Sequence, residues 1–226
     1  MIQVYCFSGS GHSMAVAQYF ADRLNTHPIP ITADAMGHAE TAVVVFPVYC
    51  QNIPPTVKQF LHSLDAKHAV LIATYGKISY GNVLWEAARM TNAEVIAGAC
   101  VPTGHSFLEQ DTSFPTESME TIFDRIAAPQ PAKLPRCGKN PFASFFPAWR
   151  SRVGLRLDKT EDCNACGLCT RTCPVGAMQN GTPNNRCIRC LRCVNTCPQN
   201  ALRIKMHPVL KAYLRRQKDR DTVIYL

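Results

Sequence analysis

The sequence C-N-A-C-G-L-C-T-R-T-C-P at residues 163–174 recurs as C-I-R-C-L-R-C-V-N-T-C-P at residues 187–198. Each copy has the spacing C-x2-C-x2-C-x3-C-P, and the two copies contain eight of the twelve cysteines. The small residues Ala165 and Gly167 lie between the first three cysteines, where the backbone must coil tightly. The closing proline turns the chain away, because it fixes φ and lacks an N–H donor. The repeat therefore predicts two related loops that each wrap around a bound group.

This cysteine spacing is the bacterial signature of cubane [4Fe–4S] clusters, in which the fourth cysteine of each run ligates the other cluster. Zinc sites usually show two separated C-x2-C pairs, and a disulfide framework needs a secreted chain, so both alternatives are less favoured. The sequence predicts two clusters. The predicted ligands of the first cluster are Cys163, Cys166, Cys169 and Cys197. The predicted ligands of the second cluster are Cys187, Cys190, Cys193 and Cys173.

The length and composition are typical of a folded protein in a reducing compartment. The chain has 226 residues, 46% of them hydrophobic, which is enough for one large or two small domains. The longest apolar run, residues 42–48, is too short to span a bilayer. The first eight residues, M-I-Q-V-Y-C-F-S, contain no charged segment, so we expect no signal peptide. Twelve cysteines without an export signal favour the cytoplasm.

The net charge of +8 is unevenly distributed along the chain. Residues 1–127 carry six basic and eleven acidic side chains, whereas residues 128–226 carry eighteen and five. Two cubane clusters with their thiolates would contribute a charge of about −4. This charge would offset part of the basic excess, because a bound ion enters the charge count. The C-terminal part would still be basic. We therefore expect it to dock to an acidic redox partner or to the acidic N-terminal part.

Residues 1–127 alternate between apolar strands and amphipathic helices. Strands that are apolar throughout and separated by helices indicate a parallel sheet that is covered on both faces. Right-handed crossovers then give a doubly wound α/β domain. The predicted strands are residues 2–7, 42–48, 69–75 and 94–101. The predicted helices are residues 14–24, 82–90 and 116–126 and one that begins at Pro54-Pro55.

A loop of glycines and hydroxyl side chains, S-G-S-G-H-S at residues 8–13, joins the first strand to the first helix. Backbone N–H groups of such a loop and of the helix N-terminus face one anion, and Ser8, Ser10 and Ser13 can add hydroxyl donors. The loop matches neither G-x-G-x-x-G nor a Walker motif, since it lacks Gly-Lys-Ser/Thr. It therefore predicts a site for one phosphate monoester. The alternative is a purely structural turn.

The next two strands are followed by P-V-Y-C-Q-N at residues 47–52 and T-Y-G-K-I-S-Y-G at residues 74–81. Ligands of doubly wound sheets bind outside the C-terminal ends of the strands. Tyrosines there can stack on a flat ring. A phosphate site in the first loop and a ring site between the next two loops together predict that the domain binds flavin mononucleotide (FMN). The alternative is that Tyr49 and Tyr75 cap the sheet as ordinary aromatic residues.

The N-terminal half resembles a flavodoxin, and the C-terminal half resembles a bacterial two-cluster ferredoxin. Together, residues 1–127 and about 158–206 are similar to flavodoxin–ferredoxin fusion proteins of anaerobic and facultative bacteria. Flavodoxin loops more usually have threonine at the place of Ser10 and asparagine at that of His12. The resemblance implies contacts to the FMN phosphate from Ser8, Ser10, Gly11, His12 and Ser13. It implies contacts to the ring from Tyr49, Asn52, Tyr75, Gly76, Tyr80 and Gly81.

The predicted organisation has four segments. They are a flavodoxin-like FMN-binding domain at 1–127, a proline-rich linker at 128–157, an α+β two-cluster ferredoxin domain at 158–206 and a basic amphipathic tail at 207–226. The linker contains aromatic side chains that we expect to pack between the domains rather than on a membrane surface. These are Phe142, Phe145, Phe146 and Trp149. The tail is expected to be a helix packed on its own protein, with a solvated basic face.

Arginines crowd the cluster module, and positive charge near a cluster raises its reduction potential. We therefore predict the higher potential for the second cluster, whose loop contains Arg189 and Arg192. The remaining arginines of the module are Arg171, Arg186 and Arg203. The isolated cysteines are expected to be small buried hydrophobic residues rather than redox thiols. These are Cys6, Cys50, Cys100 and Cys137.

The favoured functional hypothesis is an electron carrier that passes single electrons between two clusters, FMN and a protein partner. A second hypothesis is an FMN-dependent reductase of a quinone, nitro compound or enone, with Tyr49, Tyr80 and His105 as candidate proton donors. A third, a redox sensor that binds nucleic acid, is disfavoured because the sequence has no helix-turn-helix or aromatic-basic platform. We expect neither a nucleic-acid partner nor a transmembrane segment.

Overall fold

The computed structural model describes residues 1–108, 111–144, 152–218 and 220–226, in two compact units. The first unit comprises Met1–Ser144 and Lys218–Leu226, and the second comprises Phe145–Gln217. Residues 128–144 of the predicted linker and the end of the predicted tail therefore group with the first unit. The four predicted segment boundaries are not tested by this division and stay a prediction.

The first unit alternates strands and helices in the predicted order. The buried positions of the strands are mostly apolar. Pro55 lies at the start of the second helix, where its missing N–H costs nothing. The strands are β1 (Ile2–Cys6), β2 (Pro28–Pro30), β3 (His38–Pro47), β4 (Asp65–Tyr75), β5 (Glu94–Pro102) and β10 (Val223–Tyr225). The helices are α1 (His12–Arg23), α2 (Pro55–Ser63), α3 (Val83–Ala88) and α4 (Glu120–Ala127), with a 3-10 turn at Pro141–Ser144.

The six strands of the first unit form one sheet in the order β10-β5-β4-β3-β1-β2. Strands β1 to β5 pair in parallel, and β10 pairs with β5 in the antiparallel direction. The parallel strands thus have the order 2-1-3-4-5, which defines the flavodoxin-like doubly wound fold. The switch point of this order lies between β1 and β3, where such sheets bind their ligands.

Side chains alternate between the two faces of the sheet. On one face, Val4 and Cys6 join a buried cluster with Val16 and Phe20 of α1 and Ile122 of α4. On the other face, the Tyr5 ring lies 4.9 Å from the ring of Phe60 in α2. Helices therefore cover both faces, as a sheet of continuously apolar strands requires.

Two strands of this sheet were not predicted from the sequence. Strand β2 contains two prolines, which a sheet tolerates at its edge because no ladder bond is lost there. Strand β10 belongs to the predicted tail, which the structure divides between a helix of the second unit and an edge strand of the first. Its Val223 lies opposite Cys100, and its Tyr225 lies opposite Gly98.

The linker segment before residue 145 packs along the first unit. The Ala132 N–H donates to the Val95 carbonyl at 2.8 Å, and the Leu134 side chain lies over Gly98. The expected burial of Phe142 is wrong, because this ring is 71% exposed. The predictions for Phe145, Phe146 and Trp149 lie outside the described residues.

The second unit is built from short elements around the cysteine repeats. Its strands are β6 (Leu155–Lys159), β7 (Met178–Gln179), β8 (Thr182–Pro183) and β9 (Leu202–Met206), paired antiparallel as β6-β9 and β7-β8. Its described helices are α5 (Leu168–Arg171), α6 (Arg192–Asn195) and α7 (Pro208–Leu214). Strands and single-turn helices together give the small α+β unit that the sequence predicted. Across the described ranges of the chain, no helix has the length and apolarity needed to cross a membrane.

Candidate functional site

The two cysteine loops, residues 163–174 and 187–198, have the same backbone conformation. Positive φ angles occur at matching positions, with 55° at Ala165 and 56° at Arg189, and with 72° at Gly167 and 62° at Leu191. A single helical turn follows in each case, α5 in the first loop and α6 in the second. Left-handed residues between closely spaced cysteines coil the backbone, which is what wrapping around one group requires.

Each loop ends with the same hydrogen bond to sulfur. The Ala177 N–H donates to Cys173 Sγ at 3.1 Å, and the Ala201 N–H donates to Cys197 Sγ at 3.3 Å. These alanines occupy matching places four residues after the last cysteine of each run. A donor at sulfur stabilises the thiolate and helps to set the reduction potential of a cluster.

The four predicted ligands of the first cluster line one cavity. Its lining includes the first three cysteines of the first loop and the last cysteine of the second loop. Apolar side chains, among them Leu168 and Leu202, complete the wall. Cysteines of both repeats thus line the same cavity, and this donor set fits a [4Fe–4S] cluster. We call this group, Cys163, Cys166, Cys169 and Cys197, the first cluster site.

The four predicted ligands of the second cluster also lie close together. Burial raises the pKa of Cys190 to about 11 and that of Cys193 to about 12, and in both cases Cys187 and Cys173 raise the pKa further. Four thiolates this close repel one another unless a cation neutralises them. A cluster would do so, and its binding would release protons. We call this group, Cys187, Cys190, Cys193 and Cys173, the second cluster site.

The thiols do not form a site for one zinc ion. Among the described residues, which include all twelve cysteines, no three His, Cys, Asp or Glu side chains are arranged to hold a single metal ion. The eight motif cysteines also form no disulfide bonds.

The arginines of the module have different environments. Arg189 is 8% exposed, its Nε donates to the Leu155 carbonyl at 2.9 Å, and its buried Nη1 has no hydrogen-bond partner in the described part of the chain. In contrast, Arg171 is exposed and donates to the Cys166 carbonyl at 3.0 Å. Arg192 lowers the pKa of Cys190 in two ways, by a hydrogen bond from its backbone N–H and by its positive charge, and so partly offsets the effect of burial. The predicted order of the two cluster potentials stays a prediction.

The predicted phosphate loop lies between the end of β1 and the start of α1, at the switch point of the sheet. Gly11 precedes the helix with φ of 102°, a conformation that favours glycine. The Ser8 hydroxyl accepts hydrogen bonds from the N–H groups of Gly11 at 3.2 Å and Met14 at 3.3 Å. The N-terminus of this twelve-residue helix has the position and polarity of an anion site.

The other hydroxyls of the loop bond within the protein. Ser10 donates to the Ser106 hydroxyl at 2.8 Å and lies 2.9 Å from His12 Nδ1. The Ser13 hydroxyl pairs with that of Thr74 at 2.8 Å. A phosphate that used these hydroxyls would compete with these partners. Sequence reasoning missed Ser106, because nothing in the pattern after β5 marks it as a contact of the first loop.

A histidine lies against the third predicted loop. The His105 ring packs so closely on Gly76 that a Cβ added there would be 2.5 Å from His105 Cδ2. Burial lowers the pKa of His105 to about 4, and the neighbouring His12 lowers it further. The imidazole is therefore neutral at physiological pH. Its Nδ1 accepts the Phe107 N–H at 3.2 Å, so the ring proton is on Nε2.

The two loops predicted to hold the flavin ring contact each other. Tyr49 and Asn52 exchange backbone hydrogen bonds of 3.0 and 2.9 Å around Cys50 and Gln51, whose positive φ angles give a tight turn. Gln51 Nε2 donates to the Ser79 hydroxyl at 3.0 Å. A Cβ added to Gly81 would lie 2.9 Å from Gln51 Cβ, so glycine is needed for this approach.

Buried polar groups without partners lie at the same edge of the sheet. The Tyr75 hydroxyl and Asn82 Oδ1 are buried and have no hydrogen-bond partner among the described residues. The Tyr75 ring lies 5.1 Å from that of Tyr80, and burial raises the pKa of Tyr75 to about 12. Buried polar groups are normally hydrogen-bonded, so these two are candidates for contacts with a bound molecule. This observation fits FMN at the predicted position.

The linker fixes the side chain of Asn52. Asn52 Nδ2 donates to the Ala143 carbonyl at 2.8 Å, and Asn52 Oδ1 accepts from Lys139 Nζ at 3.0 Å. Lys139 also forms a largely buried ion pair with Glu86 at 2.7 Å. The sequence did not predict this role for the linker, because the contacting residues are far apart in the chain.

The isolated cysteines are only partly as expected. Cys6 and Cys100 are buried, and burial raises the pKa of Cys100. The expectation of burial is wrong for Cys50, which is exposed in the tight turn, and for Cys137, which is half-exposed. The Cys137 thiol lies 3.7 Å from the Tyr225 hydroxyl.

Residues 159–179 and 184–203 each match the family model of the 4Fe-4S binding domain. These segments contain all eight motif cysteines, so the second unit carries a 4Fe-4S ferredoxin motif. Iron–sulfur binding and a general role in electron transfer follow from this match. No curated protein matches the chain.

Some solved structures are distantly similar to the chain. A candidate flavoprotein from Bacteroides uniformis has 16% identity and a TM-score of 0.37, covering 47% of this chain and 92% of that one. One from Bacteroides eggerthii has 16% identity and a TM-score of 0.39, with coverage of 56% and 97%. The Trp repressor binding protein from Bacillus subtilis has 12% identity and a TM-score of 0.35, with coverage of 57% and 99%.

The class of protein follows from two observations. The strand order of the first unit defines a flavodoxin-like sheet, and the family match identifies a 4Fe-4S ferredoxin region in the second. The predicted combination of a flavodoxin-like domain with a ferredoxin region is therefore confirmed.

Proposed function

We propose that this chain is an electron-transfer protein with two [4Fe–4S] clusters in its second unit and FMN in its first. It passes single electrons between these groups and a protein partner. The observation that carries the proposal is the gathering of cysteines from both loops around one cavity at the first cluster site. Three of these cysteines belong to the first loop and the fourth belongs to the second.

In this proposal each loop contributes three ligands to its own cluster and one to the other. The N–H groups of Ala177 and Ala201 donate to the crossover sulfurs of Cys173 and Cys197 and hold them in place. Thiolate ligands require a reducing environment, so we place the chain in the cytoplasm. The basic excess of the C-terminal part supports an acidic redox protein as the partner.

For FMN, the N-terminus of α1 would hold the phosphate through the loop that contains Gly11. The loops after β3 and β4 would hold the ring, with Tyr75 and Asn82 offering the polar groups that lack partners among the described residues. FMN exchanges one or two electrons, whereas a cluster exchanges one. The flavin and the clusters together would therefore convert one-electron transfer into two-electron transfer and the reverse. Closely packed side chains such as His105 on Gly76 would keep water from the ring.

A carrier is better supported than a reductase with its own small substrate. A reductase needs a proton donor, and the buried His105, with a pKa of about 4, is poorly suited to donate near neutral pH. Tyr80 shares a hydrogen bond with Tyr225, whose pKa is raised mainly by burial and then by this bond. Tyr49 lies in a turn that its backbone closes. None of these groups therefore favours the reductase hypothesis.

Anaerobic purification followed by iron, sulfide and flavin analysis tests the proposal. Two cubane clusters contain about eight irons, so the expected content per chain is about eight irons, as many sulfides and one FMN. The variants Cys166→Ser and Cys190→Ser should each retain about half of the iron, because each removes a ligand of a different cluster. Zinc in place of iron would overturn the cluster assignment, and absence of flavin would overturn the FMN assignment.

A further inference from the structure

The linker segment at residues 139–144, which we call the linker clamp, contacts one of the two loops proposed to hold the flavin ring. It lies within the first unit. The Asn52 amide donates to the Ala143 carbonyl at 2.8 Å and to the Cys50 carbonyl at 2.8 Å. Its Oδ1 accepts from Lys139 Nζ at 3.0 Å. Because an amide NH2 group has only two hydrogens, Asn52 is suited to hold its turn in place rather than to donate to a flavin ring.

The neighbouring Gln51 joins the linker clamp to the second loop proposed to hold the ring. Its Oε1 accepts from the Asn140 N–H at 2.8 Å, and its Nε2 donates to the Ser79 hydroxyl at 3.0 Å. Gly81 of that second loop also lies against Gln51, since a Cβ added to the glycine would be 2.9 Å from Gln51 Cβ. One side chain thus connects the clamp to both loops, so a displacement of the clamp would displace both.

A largely buried ion pair connects the linker clamp to α3. Lys139 Nζ lies 2.7 Å from Glu86 Oε1, and the two side chains are 14% and 21% exposed. The Glu86 N–H donates to the carbonyl of Asn82 at 2.9 Å, and the buried Oδ1 of Asn82 has no hydrogen-bond partner in the described part of the chain. The pair therefore lies next to a candidate flavin contact. Removing one partner of such a pair leaves the other charge uncompensated where solvent screens it poorly.

We propose that the linker clamp positions the flavin loops, and that Lys139 and Glu86 are positioning residues whose opposite charges tune the reduction potential of the flavin. The inference rests on the proposed function and adds a role for the linker at the flavin site. A flavin that takes up two electrons and one proton gains one negative charge. Lys139 would stabilise that charge and Glu86 would destabilise it. In the proposed function the electrons come from the clusters, and no covalent bond to the protein forms.

Two variants break the ion pair from opposite sides. Lys139→Met removes the positive charge and the hydrogen bond to Asn52, and it leaves Glu86 as an uncompensated carboxylate. Glu86→Gln leaves Lys139 as an uncompensated ammonium group. The double variant removes both charges. Lys133→Met is the matched control, because Lys133 lies in the same linker and is exposed.

Two quantities are measured on each holoprotein. The dissociation constant of FMN comes from flavin fluorescence on stepwise dilution, and the midpoint potential of the flavin comes from an anaerobic dithionite titration. A unit charge about 10 Å from a group that gains one charge changes its reduction equilibrium by roughly tenfold at an effective dielectric constant of about 20, or about 30 mV for two electrons. Electron paramagnetic resonance (EPR) of the reduced samples checks that the clusters are unchanged.

We expect Lys139→Met to weaken FMN binding by about tenfold, the usual effect of losing a hydrogen bond to a charged group, and to lower the flavin potential. Glu86→Gln should raise the potential. The double variant should bind FMN as weakly as Lys139→Met, with a potential close to that of the wild type. Lys133→Met should change neither quantity.

The opposite signs separate the role of charge from a merely structural one, which would move the potential in the same direction in both single variants. Shifts of the same sign, or shifts no larger than in Lys133→Met, would overturn the inference while leaving the proposed function intact. A wild-type chain that binds no FMN would contradict the proposed function itself, and the inference with it.

Discussion

The first and second cysteine loops have nearly the same backbone but different surroundings. Both have left-handed residues at matching positions, and both end in an N–H bond to the sulfur of the last cysteine. The first cluster site is half-exposed, whereas three ligands of the second are buried, and Arg189 is buried within the second loop. The comparison shows that cysteine spacing sets the shape of the loop, while contacts from elsewhere in the chain set its dielectric environment.

The largest expected difference between the loops is in the loss of a ligand. Cys193→Ser should remove the second cluster and Cys166→Ser the first, leaving about four irons in each case. Cys193 is 6% exposed, so its loss also leaves a polar hydroxyl in a buried place, which costs about 1–3 kcal/mol. Thermal denaturation followed by circular dichroism should therefore show the lower midpoint for Cys193→Ser. Equal midpoints would mean that the two sites do not differ in burial.

Thiol alkylation of the cluster-free protein should separate the loops by rate. Burial raises the pKa of Cys190 to about 11, so at pH 8 only about one thiol in a thousand is ionised there. Its alkylation by iodoacetamide should rise about tenfold per pH unit until about pH 11, because only the thiolate reacts. Mass spectrometry after timed quenching measures this, with the exposed Cys166 as the faster internal reference. Equal rates at both cysteines would contradict the difference in burial.

Arg189 tests why the second cluster should have the higher reduction potential. Burial alone would lower that potential, because reduction adds negative charge, and a buried guanidinium would raise it. A unit charge acting over about 8 Å at an effective dielectric constant of about 20 is worth about 2 kcal/mol, or roughly 90 mV for one electron. Arg189→Ala should therefore lower the potential of the second cluster by tens of millivolts, as followed by EPR during a redox titration.

The matched control for Arg189 is Arg171, the exposed arginine of the first loop. Arg171→Ala should shift the potential of the first cluster by a smaller amount, since solvent screens its charge. If Arg189→Ala left the potential of the second cluster unchanged, the buried guanidinium would not be the cause of any difference between the clusters.

The smallest expected effect concerns a pair of threonines that the loops share. The hydroxyl of Thr172 donates to the Leu168 carbonyl at 2.9 Å, and that of Thr196 donates to the Arg192 carbonyl at 2.8 Å. Thr172→Val and Thr196→Val should each cost about 1 kcal/mol in the free energy of unfolding, the usual value of one such bond. Chemical denaturation measures both values. Costs that differ by more than about 1 kcal/mol would show that the loops are not equivalent even in their backbone.

The sequence predicts the 4Fe-4S motif of the cysteines correctly, because their spacing is a local pattern along the chain. It does not predict their burial. One buried contact of the second loop is made by Leu155 of β6, whose carbonyl accepts a hydrogen bond from Arg189 Nε. That contact joins residues 34 positions apart in the chain, and no local sequence pattern predicts it.

The flavodoxin-like sheet is predictable for a similar reason. Apolar strands alternate with amphipathic helices of clear period, and right-handed crossovers then give a doubly wound sheet. Strand β10 was missed because three residues, Val223–Tyr225, are too short to show a period. At the candidate FMN site, the contacts of Ser106 and Lys139 were missed because both residues lie far from their partners in the chain.

An EPR-monitored redox titration of the anaerobically purified wild-type chain tests the central claim most directly. The account predicts two one-electron [4Fe–4S] signals with distinct potentials, the higher of which is lost in Cys193→Ser and retained in Cys166→Ser. A single cluster signal, or two signals with the same potential, would contradict the claim that two like loops hold two unlike clusters.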